Sequence, residues 1–293
     1  MTIKQISKGC PADGKSVLIT GCSSGIGRTT AVHLARSGFT VFATVRKETD
    51  ADNLRSLQEP NLVPLRPLDL TRLEQVPGIV QKVAVELESR RQPGLYALIQ
   101  NAGGGTVAPV ELADPAKFHR ELEARLVGAV VLVQAFLPMM RPVQGRILWI
   151  MTPATIPTPY VSIIHACDFA ANCLARTLDI ELKPWKIANI MIRCGGIKTA
   201  TGLKTTADVE AILQEAPSDR ASLYASALRR WGVDMAKFDL KRTDPEKVAG
   251  VVLKALWAKK PKGRYSVGHM ARAAAFLEAL PQSITDAILK MRF

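Results

Sequence analysis

Apolar residues recur along this chain in two alternating periods. Continuous runs rich in Val, Ile and Leu occupy residues 16–20, 40–44, 62–65, 95–100, 146–150, 187–193 and 264–267, the pattern of strands buried on both faces. Between them, apolar positions three and four apart mark helices at 25–37, 73–89, 116–137, 162–183 and 245–258. Strands alternating with helices predict an α/β fold, a doubly wound parallel sheet of about seven strands flanked by helices. Ligands of such a sheet bind beyond the carboxyl ends of its strands.

Residues 1–14 read as a polar extension, 15–268 as a single domain and 269–293 as a C-terminal amphipathic helix. The polar and helical stretch 201–241 breaks the alternation, and is either a lid over the substrate pocket or a plain surface insertion. In the tail, Phe276, Leu277, Leu280, Ile284, Ile288 and Leu289 follow helical spacing. Their face packs on the core, a partner subunit or a membrane surface, core packing being the commonest of these.

At 293 residues and 47% hydrophobic, the chain can bury one large core. Its polar N-terminus lacks the apolar stretch of a secretory signal, and no run approaches the ~20 apolar residues of a transmembrane span, so the expectation is a cytoplasmic protein. The five cysteines are odd in number and fit no zinc spacing, which predicts reduced thiols and no metal. A net charge of +13 suits anionic partners. The basic residues are scattered, with short clusters such as Lys259-Lys260-Pro261-Lys262-Gly263-Arg264, so nucleic-acid binding is not expected.

The first strand runs directly into Thr20-Gly21-Cys22-Ser23-Ser24-Gly25-Ile26-Gly27. Glycines here let the backbone approach a pyrophosphate, which the following helix N-terminus stabilises. Asp69 follows the third strand, and Gln100-Asn101-Ala102-Gly103 ends the fourth. With these residues the chain, over about 15–267, resembles the short-chain dehydrogenase/reductase superfamily, a Rossmann-type fold. Phe42-Ala43-Thr44-Val45-Arg46 and Arg193-Cys194-Gly195-Gly196-Ile197-Lys198-Thr199 resemble its steroid and retinol dehydrogenase branch, which implies a hydrophobic small-molecule substrate.

A dinucleotide's 2′-phosphate needs a cation at the end of the second strand, where a 2′-hydroxyl would need a carboxylate. This chain offers Arg46, which predicts NADP(H), with Ser23 or Ser24 as a second phosphate contact. The resemblance further implies that Gly21, Gly25, Ile26 and Gly27 cradle the pyrophosphate and that Asp69 and Leu70 meet the adenine. It also implies that Asn101, Ala102 and Gly103 form the central loop, that Thr199 reaches the carboxamide, and that the chain forms a homodimer or homotetramer.

The superfamily's Tyr-x-x-x-Lys falls here on Ile164-His165-Ala166-Cys167-Asp168, with Ile164 for Tyr and Asp168 for Lys. Its Asn falls on Arg125, and its Ser on Thr152 or, counted back from Ile164, on Met151; Thr152 keeps the hydroxyl. Isoleucine exchanges no proton, and losing a general acid typically costs ~10²–10⁴-fold, so ordinary ketone reduction should be severely impaired. His165 or Tyr160 enters the site only if the helix start is shifted. The exchanges to Arg125 and Asp168 are complementary in charge and fall on two positions the family links through water, so the two are expected to form an ion pair. Either the site is reused or the pair preserves the fold of an inactive protein.

Three function classes follow. One is an atypical NADPH reductase of an imine-like substrate, since a cationic imine needs no proton during hydride transfer and the carboxylate of Asp168 would stabilise it. The second is a non-redox cyclase, isomerase or lyase in which Arg125, Thr152 and Asp168 polarise a bound molecule. The third is a non-catalytic binding subunit. The intact glycine motif favours a small-molecule enzyme, of the kind the superfamily deploys in specialised metabolism.

Overall fold

The computed structural model describes residues 12, 14–105, 107–153, 156–199 and 209–292. Of the segments singled out above, most of 1–14, the stretch 201–208 and residue 293 lie outside the described residues. β1 (Ser16–Ile19), β2 (Thr40–Thr44), β3 (Leu62–Leu65), β4 (Leu95–Gln100), β5 (Arg146–Met151), β6 (Ala188–Cys194) and β7 (Arg264–Val267) form one seven-stranded sheet. Its order is β3-β2-β1-β4-β5-β6-β7, every pairing parallel. Each predicted strand is present with ends shifted by at most a residue or so, because runs buried on both faces carry the strongest strand signal.

Strand alternation divides the core into two layers. Val17 and Ile19 of β1 face one side, where they meet Leu34 of α1 (Gly25–Arg36), Leu54 of α2 (Glu48–Arg55) and Val248 and Val252 further along the chain. Leu18 faces the other, with Ile79 of α3 (Val76–Ser89) and the helices between β4 and β6. Those helices begin with α4 (Pro115–Leu122), capped by Asp114, whose Oδ1 accepts from the Ala116 N–H at 2.8 Å, and started by a proline at its first position. A π-helical turn, Glu123–Val127, joins α4 to α5 (Gly128–Met140). After β5 comes α6 (Ser162–Glu181). Beyond β6 lie α7 (Val209–Glu215), α8 (Ser218–Asp239) and α9 (Pro245–Trp257), and β7 is followed by α10 (Ala271–Leu277) and α11 (Gln282–Arg292).

Three points differ from the sequence expectation. Helix α2 carries only Ala51 and Leu54 as buried residues, too few for its periodicity to stand out. The tail forms two helices, with Pro281 between them, because proline lacks the N–H that a continuous helix would use and its ring clashes with the preceding turn. The third concerns the expectation that no run could span a membrane. Helix Pro115–Met140 is 26 residues long, with mean hydropathy 1.6 over its most apolar window, of which 28% is buried, and so is long and apolar enough by length and composition alone. Its charged N-terminal turns had masked this, since the unbroken helix is visible only once α4, the π turn and α5 are seen to join.

Leu98, fully buried at the centre of β4, tests the core: Leu98→Ala should destabilise the fold by ~2–5 kcal/mol, measured by urea denaturation. A loss below about 1 kcal/mol would mean that the layer packed on this face is loose.

Candidate active site

The strand order reverses between β1 and β4, and the crevice there opens into a cavity of about 730 Å³. Its floor is a tight junction. The Thr20 hydroxyl accepts from the backbone N–H groups of Asn101 and Ala102, both at 2.9 Å, while Asn101 Nδ2 donates to the carbonyls of Thr20 at 2.9 Å and Gly21 at 3.2 Å. Two glycines make this approach possible. A Cβ on Gly27 would lie 2.2 Å from the Gly21 carbonyl oxygen, and one on Gly25, at φ +56°, would lie 3.3 Å from Thr199 Cγ2. One end of the cavity is lined by Ser23, Ser24, Ile26, Arg46, Asp69 and Leu70. Asp69 is held by Thr71, whose N–H and hydroxyl donate to its Oδ1 at 3.1 and 2.9 Å. Arg46 is exposed and makes no ion pair among the described residues.

The middle of the cavity is governed by Arg125, which the π turn carries. A wound-out turn of this kind re-aims one side chain, and such turns recur at functional sites. Its guanidinium, 14% exposed, donates from Nε to Glu121 Oε2 at 2.8 Å, from Nη1 to Asp168 Oδ1 at 2.9 Å and from Nη2 to the Gly104 carbonyl. Burial opposes its charge, but Asp168 and Glu121 outweigh burial and hold the guanidinium above its ordinary range. Asp168, 3% exposed, is saturated from the other side: Oδ2 accepts from both the N–H and the hydroxyl of Thr152, each at 2.8 Å. The loop also fits this guanidinium closely, since a Cβ on Gly103 would lie 2.7 Å from Arg125 Cζ and one on Gly104 2.3 Å from Glu121 Oε1.

Arg125, Thr152 and Asp168 therefore come together on the cavity wall, beside Asn101, Ala102, Gly103 and Thr199. Two chemical consequences follow. The Thr152 proton is committed to Asp168, so its oxygen presents lone pairs to the cavity. One guanidinium set between two carboxylates leaves the cluster with a formal charge of −1.

The far end is largely apolar. Val107, Val161, Ile164, Ile197, Trp231 and Met235 line it, together with Arg242, whose Nη1 donates to the Ile197 carbonyl at 3.2 Å. Trp231 and Met235 come from α8, inside the stretch expected to be a lid or an insertion. Tyr160, at φ +68°, packs edge-on against Trp231 with ring centroids 5.7 Å apart, and does not line the cavity. His165 also stays outside: its Nδ1 pairs with the Ile156 carbonyl at 3.0 Å, which fixes the ring against the preceding loop.

Sequence reasoning missed Glu121, Trp231 and Met235. Glu121 was detectable, since it precedes Arg125 by four residues, the spacing of a helical ion pair. Nothing local marks the other two. Cys167 and Cys194 flank the site as buried thiols, pushed by burial to about 11 and about 12, and take no thiolate role.

The short chain dehydrogenase family profile matches residues 15–210. Human 11-beta-hydroxysteroid dehydrogenase type 2 is 30% identical over 97% of this chain and 71% of its own length. An uncharacterized oxidoreductase of Escherichia coli strain K12, YbbO, is 31% identical over 94% of each. Among solved structures, a short chain dehydrogenase from Burkholderia cenocepacia in complex with NADP superposes with a TM-score of 0.73 over 95% of this chain and 98% of that one, at 22% identity.

Two outcomes are expected of this geometry. Arg125→Ala and Asp168→Ala should each cost ~3–5 kcal/mol, because each leaves the other charge buried and unpaired, and the double variant should cost much less than their sum. Additive losses in urea denaturation would deny the pairing. Burial holds His165 below its ordinary value of 6.5, with Asp168 and the Ile156 carbonyl opposing. The unfolded chain thus takes up a proton first as pH falls, so stability should drop below about pH 6.5, and His165→Gln should flatten that drop in denaturation curves at stepped pH.

Proposed function

The chain belongs to the short-chain dehydrogenase family, and from that premise we propose an NADP(H)-binding oxidoreductase that acts on a hydrophobic small molecule through a reworked site. The glycine turn of Gly21, Ser23, Ser24, Gly25, Ile26 and Gly27 would hold the pyrophosphate at the N-terminus of α1. Arg46, exposed at the mouth and without a carboxylate partner among the described residues, would take the 2′-phosphate. Asp69 and Leu70 would bound the adenine, while Asn101, Ala102, Gly103 and Thr199 would bound the nicotinamide. The fit rests on the room left by Gly25 and Gly27, where a side chain would collide with the turn or with Thr199. When bound, the cofactor would supply a hydride beside the cluster of Arg125, Thr152 and Asp168.

One observation carries the substrate class: Arg125 is clamped between Asp168 and Glu121, and the Thr152 proton points at Asp168. Ile164 and Asp168, at the places where the family keeps Tyr and Lys, offer neither a phenol nor an ammonium. A ketone accepting hydride develops an alkoxide that needs a proton, and these residues do not give one. The net −1 of the cluster would raise the energy of that anion and lower that of a cation. The substrate is thus an iminium or an imine protonated before it binds, positively charged before reaction and neutral after hydride transfer, with an apolar body against Trp231, Met235 and Ile164. The α8 segment serves as a lid over that body. The apolar residues exposed on the π turn and α6, Val127, Phe169 and Ile180, suit a contact between copies of the chain.

Calorimetry should give micromolar binding of NADPH, with NADH at least ~10-fold weaker and Arg46→Ala erasing the difference. Deuterated NADPH should pass its label to apolar cyclic imines with a kcat/KM at least ~10²-fold above that for ketones of the same shape. Equal turnover of ketones would defeat the imine reading. Product formed from an apolar substrate with no consumption of NADPH would move the protein to the cyclase or isomerase class.

A further inference from the structure

The C-terminal helices leave part of their apolar surface outward. In α11 Thr285 is 6% exposed, with Ile288 and Leu289 half-buried to either side of it, and its hydroxyl donates to the Leu277 carbonyl of α10 at 3.0 Å. On a helical wheel of about 100° per residue, Ile284, Ala287 and Met291 fall within roughly 60° of one another, on the side opposite Thr285. All three are exposed, Ile284 at 48% and Met291 at 81%, and Phe276 on α10 adds another apolar side chain at 67%. A stripe of this spacing, turned away from the core, has no partner among the described residues.

The tail is not a frayed end. Gly196 and His269 exchange backbone hydrogen bonds at 2.9 and 3.2 Å, tying the start of α10 to the edge of the cavity. Buried Arg193 on β6 pairs with Glu278 at the end of α10, and donates from Nη2 to Asn172 on α6 at 2.9 Å. The stripe therefore sits on a platform fixed to the sheet.

Charge selects what covers it. Between residues 259 and 293, seven Lys and Arg stand against two carboxylates. Of those two, Glu278 is consumed by Arg193, and Arg264 Nη1 lies 3.9 Å from it. That contact sets the exposed basic loop Lys259-Lys260-Pro261-Lys262 beside the corner where α10 meets α11. The same face of a second copy would carry the same excess of positive charge and be repelled, whereas a surface of anionic headgroups would neutralise it while the stripe enters its apolar boundary.

We propose that the α10–α11 face docks on anionic phospholipid, with Phe276, Ile284 and Met291 inserted at the headgroup boundary and the basic loop at 259–264 held against phosphate. The full chain should co-sediment with vesicles of phosphatidylcholine and phosphatidylglycerol, and at least ~10-fold less with phosphatidylcholine alone, the difference shrinking as salt is raised. Ile284→Asp with Met291→Asp should remove most of the binding, and Lys259→Glu with Lys260→Glu should remove the preference for anionic lipid. NADPH affinity and thermal stability should stay unchanged in both variants, since these side chains are exposed. Binding that is equal on neutral vesicles, or that survives the Ile284→Asp, Met291→Asp exchange, would overturn the proposal. So would absent vesicle binding, with the same exchange lowering the oligomeric mass in light scattering; the stripe would then be a contact between copies.

Discussion

A guanidinium buried on the wall of a crevice has to be paired, and that requirement organises the centre of this protein. Removing one partner from such a pair costs ~3–5 kcal/mol, more than most single contacts contribute. Arg125 meets the requirement with Asp168, Glu121 and the Gly104 carbonyl, and each partner has a consequence of its own. Asp168, once drawn in, needs donors for its second oxygen and takes both from Thr152. The loop after β4 must run close enough to be packed by the guanidinium, which leaves no room for a Cβ at Gly103. Glu121 lies one turn before Arg125, so the helix must reach both its carboxylate and the cavity, and the π turn at Glu123–Val127 lies across that interval. One ion pair thus fixes the loop, the helix entry and the hydroxyl that faces the cavity.

The same pairing constrains chemistry. A proton-donating site must release a proton toward the reacting atom, and it must favour the charge that develops there more than the charge present at the start. Here the donors of the Arg125 cluster point at one another and its three charged groups sum to −1, while Arg46, Arg120 and Arg242 line the same cavity. On the proposed reading, such a cluster is poorly matched to an oxyanion and well matched to a cation.

The fold was readable because its strongest signals are local. β1 is four residues with every side chain buried, and the glycines that follow it are needed by contacts a few ångströms away within the same turn. Asp168 and Arg125, 43 residues apart, were expected to pair only because the resemblance put two residues of opposite charge at positions it links. Glu121 could have been read from helical spacing. Trp231 and Met235 could not: they reach the cavity by way of α8, and nothing in helical periodicity says over which loop such an insertion lies. His165 illustrates the opposite limit. Its residue type suits proton transfer, but about 100° of helical rotation from Ile164 turns it toward the Ile156 carbonyl and away from the cavity.

The tail shows what periodicity leaves undetermined. A 3.6-residue period establishes that one side of a helix is apolar, and a core, a subunit or a lipid surface satisfies it equally. Core packing is the usual outcome, and α9, with Val248 and Val252 fully buried, follows it. In α11 Thr285 is buried between the half-buried Ile288 and Leu289, while Ile284, Ala287 and Met291 stay outward, so its apolar residues divide between two sides. Two features of the sequence bear on how the helix sits. Pro281 breaks the tail and resets the direction of its second half, and Glu278 is pulled inward by Arg193, which fixes the end of α10 before α11 begins. Pro281 and the Arg193–Glu278 pair place the start of α11, and with apolar residues on two of its sides the period alone does not say which row turns outward.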